Sequence, residues 1–235
     1  VKAPRYITHI RRLNDIEEPL ANFFASGIFE LKEKLGAVLW QFPPSFTFKE
    51  DQFRAFLQLL PHTATAAQAF TQIHHPQFQL PDQTPRHFRL RHAVEIRNKT
   101  FVDEKFIALL REFNIAFVIA DTAGRWPYAE DITSDFVYMR LHGDTELYNS
   151  GYSPEAIERW YKRIASWSKG VQPRDAKLFG TRTKPGASLD VFCYFDNTDK
   201  LWAPKDAREL SRLLKIDKPL KSPDEIMQEI KAKND

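Results

Sequence analysis

Short runs of consecutive apolar residues alternate along the chain with stretches whose apolar positions recur every three or four residues. The pattern predicts strands and helices in turn. Strands are expected at 1–4, 37–42, 92–97, 115–120, 136–142 and 189–195. Ala37–Phe42 is bounded by Gly36 and by Pro43-Pro44, and Ile115–Ala120 is almost purely apolar, as a strand covered on both faces should be. Helices are expected over Leu13 to Lys34, Lys49–Leu60, Thr63–Ile73, Asp103–Phe113, Pro154 to about Trp167, and Pro204–Leu214. Phe23, Phe24, Phe53, Phe56, Phe106 and Phe113 sit at helix spacing and read as the packing layer between helices and strands. Ser153 with Pro154 is a strong helix start. Ser222-Pro223-Asp224-Glu225 has capping-box spacing and predicts a short helix in a carboxyl-terminal extension, 215–235. The proline-rich segment His74–His87 reads as a surface loop.

Regular alternation of strand and helix argues for a parallel sheet with right-handed crossovers. No composition break divides residues 1–235, so a single domain is expected. An open doubly wound sheet and a β/α barrel both fit. The doubly wound nucleotide-binding type should show a glycine-rich turn after its first strand, and none is present. A barrel collects polar residues at the carboxyl ends of many strands. Lys2, Gln41, Glu95, Arg97, Asp121, Arg140, His142 and Asn197 are so placed. The expected fold is therefore α/β, a TIM-type β/α barrel of parallel strands and outer helices with about six strands present.

Composition narrows this little. The 235 residues are 43% hydrophobic and 28% charged, which suits a globular chain with a sizeable core. A net charge of +3 is compatible with a small anionic ligand and too weak to argue for nucleic acid. The one cysteine, Cys193, excludes an internal disulfide framework and reads as a small core residue. No stretch approaches the roughly 20 apolar residues of a membrane span, and no signal peptide is visible, so a cytoplasmic location without a membrane partner is expected.

The candidate chemistry gathers between Arg91 and Gly143. Side chains alternate across a strand, so Glu95 and Arg97 share one face, as do Arg140 and His142. Glu95, Asp121 and His142 are the candidate catalytic groups, because burial and neighbouring charge tune carboxyls and imidazoles toward proton transfer. Lys2, His9, Gln41, Arg97, Arg140 and Asn197 are the candidate substrate-binding groups, the arginines offering a fork to carboxylate or phosphate. The competing reading is an internal salt-bridge network with no chemistry. A divalent metal held by Glu95, Asp121, His142 and His9 lacks diagnostic spacing and would meet nearby cations, so no cofactor is expected. Trp126, Tyr148 and Tyr152 lie in loops on the same side and suit either a lid or the anchoring of their own loops. Two functional classes follow. One is an enzyme of hydrolase or lyase/isomerase type acting by acid/base chemistry on a small anionic substrate. The other is a non-catalytic protein that binds an anion or a nucleic-acid phosphate.

Several pieces recur in a familiar order: Lys2-Ala3-Pro4 with Thr8-His9, Leu39-x-Gln41-Phe42-Pro43-Pro44, Glu95-x-Arg97, Asp121, Tyr138-x-Arg140-x-His142-Gly143, and Tyr194-Phe195-x-Asn197. In this the chain resembles the YecE-like family, domain of unknown function 72, from Lys2 to about Leu214. The resemblance implies a TIM-barrel-like fold and supplies no substrate. It also implies two earlier strands, one ending in a Gly-x-x-Gly-Trp-like motif, so the chain is expected to be amino-terminally incomplete. A barrel short of two strands would expose sheet edges through which copies could associate.

Overall fold

The computed structural model describes residues 1–81, 84, 85, 87–183 and 186–216. Five strands, β1 (Ala37–Gln41), β2 (Arg91–Glu95), β3 (Ala116–Asp121), β4 (Phe136–Leu141) and β5 (Asp190–Phe195), form one sheet in the order β1-β2-β3-β4-β5. Every pairing is parallel. Sequential parallel order requires a crossover between neighbours; helices supply it from β1 to β2, from β2 to β3 and from β4 to β5, while the irregular segment 122–135 joins β3 to β4. The helices are α1 (Glu17–Ala25), α2 (Glu50–Leu59), α3 (Ala64–Gln72), α4 (Glu104–Glu112), α5 (Pro154–Trp167) and α6 (Trp202–Leu213). The sheet curls into a half-barrel.

The expected strand count of six is corrected to five. Residues 1–4 meet β1 in a single bridge between Lys2 and Leu39, bonded Ala3 N–H to Leu39 C=O at 2.9 Å and Leu39 N–H to Val1 C=O at 2.8 Å, with the Val1 amino group donating to Ala37 C=O at 3.0 Å. Pro4 has no N–H to extend that ladder, and the chain turns at once into a π-helical turn, Tyr6–Ile10. The expected helix over Leu13–Lys34 is broken. Positive φ at Arg12, Leu13 and Asp15 delays its start, and Gly27 at φ +88° ends α1 before a 3₁₀ segment, Ile28–Lys34. The expected helix after Ser222 lies outside the described residues.

Strand parity sorts the core into layers. Leu39, Ala93, Val118, Ala120 and Tyr138 face inward, where Phe192 packs on them. Val38, Trp40, Val94 and Phe117 face outward onto the phenylalanines of α1, α2 and α4. Ile119, Val137, Met139 and Leu141 face α5 and α6. Each fully buried Phe or Leu contributes roughly 1.5–3 kcal/mol, so the outer layers fix the strands that carry the inward polar ends.

Candidate functional site

The inward parity that buries Leu39, Ala93 and Tyr138 also turns Gln41, Glu95 and Arg140 inward at the carboxyl ends of β1, β2 and β4. Glu95 is fully buried and accepts from Gln41 Nε2 at 3.1 Å, Arg97 Nε at 3.1 Å and Arg140 Nη1 at 2.5 Å. Arg140 turns its second amino group to Asp196 Oδ2 at 2.6 Å. Burial opposes the Arg140 charge, but Glu95 and Asp196 outweigh it and hold its pKa above the ordinary value. Burial likewise works against the Asp196 charge, and His142, Arg140 and Lys2 still hold its carboxyl below the usual range.

His142 follows β4 and is completely buried. Its backbone N–H donates to Asp121 C=O at 2.9 Å, which fixes the peptide beyond the strand end. Its Nδ1 lies 3.0 Å from Asp196 Oδ2. Among the described residues no hydrogen bond is formed at either ring nitrogen, and the Asp196 carboxylate is a close charged neighbour of Nδ1. Two aromatic edges cover the ring: Tyr148 with centroids 5.2 Å apart at 83°, and Trp126 at 6.4 Å and 85°. Arg97 ties this roof to the network. Its guanidinium carbon stands 3.7 Å over the Trp126 ring, and its Nη2 donates to the Tyr148 hydroxyl at 3.2 Å.

Lys2, bridged to inward-facing Leu39, is exposed and lies close enough for its charge to interact with Arg140, Glu95, Arg97 and Asp196. Burial and the Arg140 charge lower its pKa, while Glu95 and Asp196 pull the other way. Among the described residues Lys2 has no ion-pair partner within 4.0 Å. His9 stands beside it. Burial, Arg5, Lys2 and Arg97 lower its pKa, and its Nδ1 is 2.8 Å from Thr8 Oγ1. Lys2, His9, Gln41, Glu95, Arg97, Arg140 and His142 are thus brought together.

Asp121 and Asn197 are placed elsewhere. Asp121 shares parity with Ile119 and faces outward, where the Tyr152 hydroxyl donates to Oδ2 at 3.3 Å. Burial pushes its carboxyl up against that bond and the Arg159 charge. It lines a separate outer cavity of about 480 Å³ with Tyr128, Glu130, Arg159 and Trp160. Asn197 ties the loop at Ser150 to α6, its Nδ2 donating to Ser150 C=O at 3.0 Å and to Asp206 Oδ2 at 2.8 Å. Sequence reasoning passed over Asp196. Extending the β5 alternation Phe192, Tyr194 by one more step would have found it, because Arg140 sits opposite Tyr194. No group of three or more His, Cys, Asp or Glu suited to a metal exists among the described residues. No described helix is long and apolar enough to cross a membrane.

Comparison with known proteins agrees with this architecture. The family model described as "Protein of unknown function DUF72" matches residues 1–229. A DUF72 family protein of known structure from Thermotoga maritima is 22% identical with a TM-score of 0.67, over 92% of this chain and 72% of that one. A DUF72 family protein from Enterococcus faecalis is 18% identical with a TM-score of 0.58, over 89% and 71%. At these identities the likeness concerns the fold. Comparison with curated proteins gives no match.

Proposed function

The chain belongs to the DUF72 family of proteins of unknown function, and on that footing we propose that its inward strand ends bind a small carboxylate or phosphate, on which His142 performs acid/base chemistry. The sheet is then part of a TIM-type barrel, and its carboxyl-end face is the reaction face. One observation supports the reading: a completely buried imidazole, whose Nδ1 meets the Asp196 carboxylate and whose Nε2 has no hydrogen-bonding partner among the described residues, lies in the same cluster as a lysine with no ion-pair partner among them. Buried polar groups are ordinarily hydrogen-bonded, and exceptions call for a role. Glu95 is a poor base here, because two arginines and an amide already bond its oxygens. It instead fixes Arg97 and Arg140. Charge arithmetic favours an anion: Lys2, Arg97 and Arg140 against Glu95 and Asp196 leave one positive charge uncompensated. Proton transfer of hydrolase or lyase/isomerase type suits a single imidazole beside that charge.

The test is a thermal-shift screen of carboxylated and phosphorylated metabolites, followed by turnover assays on the hits. Lys2→Ala is expected to abolish the stabilisation by the hit. His142→Gln is expected to keep it and to lose turnover. A hit that binds at Lys2 and is never turned over makes the protein an anion-binding protein and ends the enzymatic reading. Absence of any hit sensitive to Lys2→Ala ends the anion site itself.

A further inference from the structure

We propose that Asp196 is the positioning residue of His142, holding the imidazole with its proton on Nδ1 and leaving Nε2 as the atom that exchanges protons with a ligand. The inference rests on the reading of His142 as the acid/base group, and it names the residue through which that group is set. Neither the spacing of the two residues nor the strand-end pattern announces the pair, because they are far apart in the chain. The sheet brings them together. Leu141 of β4 stands opposite Phe195 of β5, so the next residue on each strand, His142 and Asp196, emerges at the same level. The Asp196 backbone N–H donates to Leu141 C=O at 2.7 Å and continues the ladder by one rung, which fixes that level.

Charge then fixes the direction of the proton. Asp196 Oδ2 receives Arg140 Nη2 at 2.6 Å and stands 3.0 Å from His142 Nδ1. Arg140 is itself held from the other side by Glu95. Glu95, Arg140 and Asp196 alternate in charge and end beside the His142 ring, and the arginine favours the ionised form of Asp196. An ionised carboxylate only accepts hydrogen bonds, so the ring nitrogen beside it is stabilised in its N–H form. Nothing opposes that tautomer, since no described group accepts a hydrogen bond from Nε2. At 3.0 Å the two atoms stand within hydrogen-bonding distance. Trp126 and Tyr148 meet the ring edge-on and bring no competing carboxylate.

Histidine-labelled protein, read by long-range proton–nitrogen NMR above the titration range of its histidines, reports the tautomer directly. His142 is assigned by its disappearance in His142→Gln. The expected result is a His142 ring protonated on Nδ1 in the unaltered protein, a tautomer ratio shifted at least fivefold toward Nε2–H in Asp196→Asn, and retention in Asp196→Glu. A proton on Nε2 in the unaltered protein overturns the proposal, as does a ratio indifferent to Asp196→Asn. If Asp196→Asn does not fold, the unaltered protein and Asp196→Glu still decide it. The measurement uses no ligand. A positive result with no anion bound in the thermal-shift screen would leave the pair standing and sink the proposed function alone.

Discussion

Glu95 bonds Gln41, Arg97 and Arg140 at once from a fully buried position, so its removal strands two cations rather than one contact. Glu95→Ala is expected to cost about 3–5 kcal/mol, the range for breaking a buried pair from one side, measured by urea unfolding. His92 sets a second expectation. Trp40 Nε1 donates to its Nδ1 at 3.1 Å and its Nε2 donates to Pro61 C=O at 2.8 Å, so the ring is satisfied while neutral. Burial pushes its pKa down to about 4, against the Pro61 bond. The unfolded chain takes up this proton below about pH 6.5 and the folded chain only near 4, so this stability is present above 6.5 and lost as pH falls through that window. Between pH 7 and pH 5 the protein should lose about 2 kcal/mol more than His92→Gln does, read from paired urea curves. At this scale the sequence spoke through parity. Glu95 and Arg140 were legible because each shares a strand face with inward residues. The strand-end position of Asp121 does not reveal that it lies on the outward face of β3, and Asp196 lies one residue beyond β5, whose apolar run and observed end both close at Phe195.

Among the elements, α5 was legible to its ends. Ser153 Oγ accepts from Ala156 N at 3.2 Å, Pro154 opens the helix and Trp167 closes it. Ser153→Ala should cost about 1 kcal/mol, and Ser153→Asp should recover most of it in the same unfolding assay. The loop that follows His142 was not legible, since its shape depends on backbone geometry that residue types only suggest. Gly143 has φ +133°, and a Cβ there would meet the Glu146 carbonyl oxygen; Tyr148, in the roof, holds a positive φ of 64°. Gly143→Ala is expected to cost about 1–3 kcal/mol and to displace Tyr148 from His142, seen as a changed His142 NMR environment. The break of the expected 13–34 helix has the same origin: apolar spacing persisted through Gly27, while the backbone there turned left-handed.

For the whole molecule, the parallel alternation is readable because each strand carries an apolar run and the crossovers to β2, β3 and β5 carry helical periods, although 122–135 joins β3 to β4 without a helix. How far the sheet closes is not, because closure depends on pairing at its edges. Among the described residues β5 pairs only with β4, and its Tyr194 remains 44% exposed. An apolar, unpaired edge is a template for another strand. Sedimentation over a concentration series is therefore expected to show self-association, and Tyr194→Lys, on that edge, should reduce it. The central claim is that the inward cluster, rather than the outer cavity at Asp121, is where an anion binds. NMR titration of the protein with acetate and with inorganic phosphate at constant ionic strength tests it most directly. Saturable shifts are expected at Lys2, the Arg97 guanidinium and His142. Shifts confined to Asp121, Arg159 and Lys177, or no saturable shift anywhere, would contradict it.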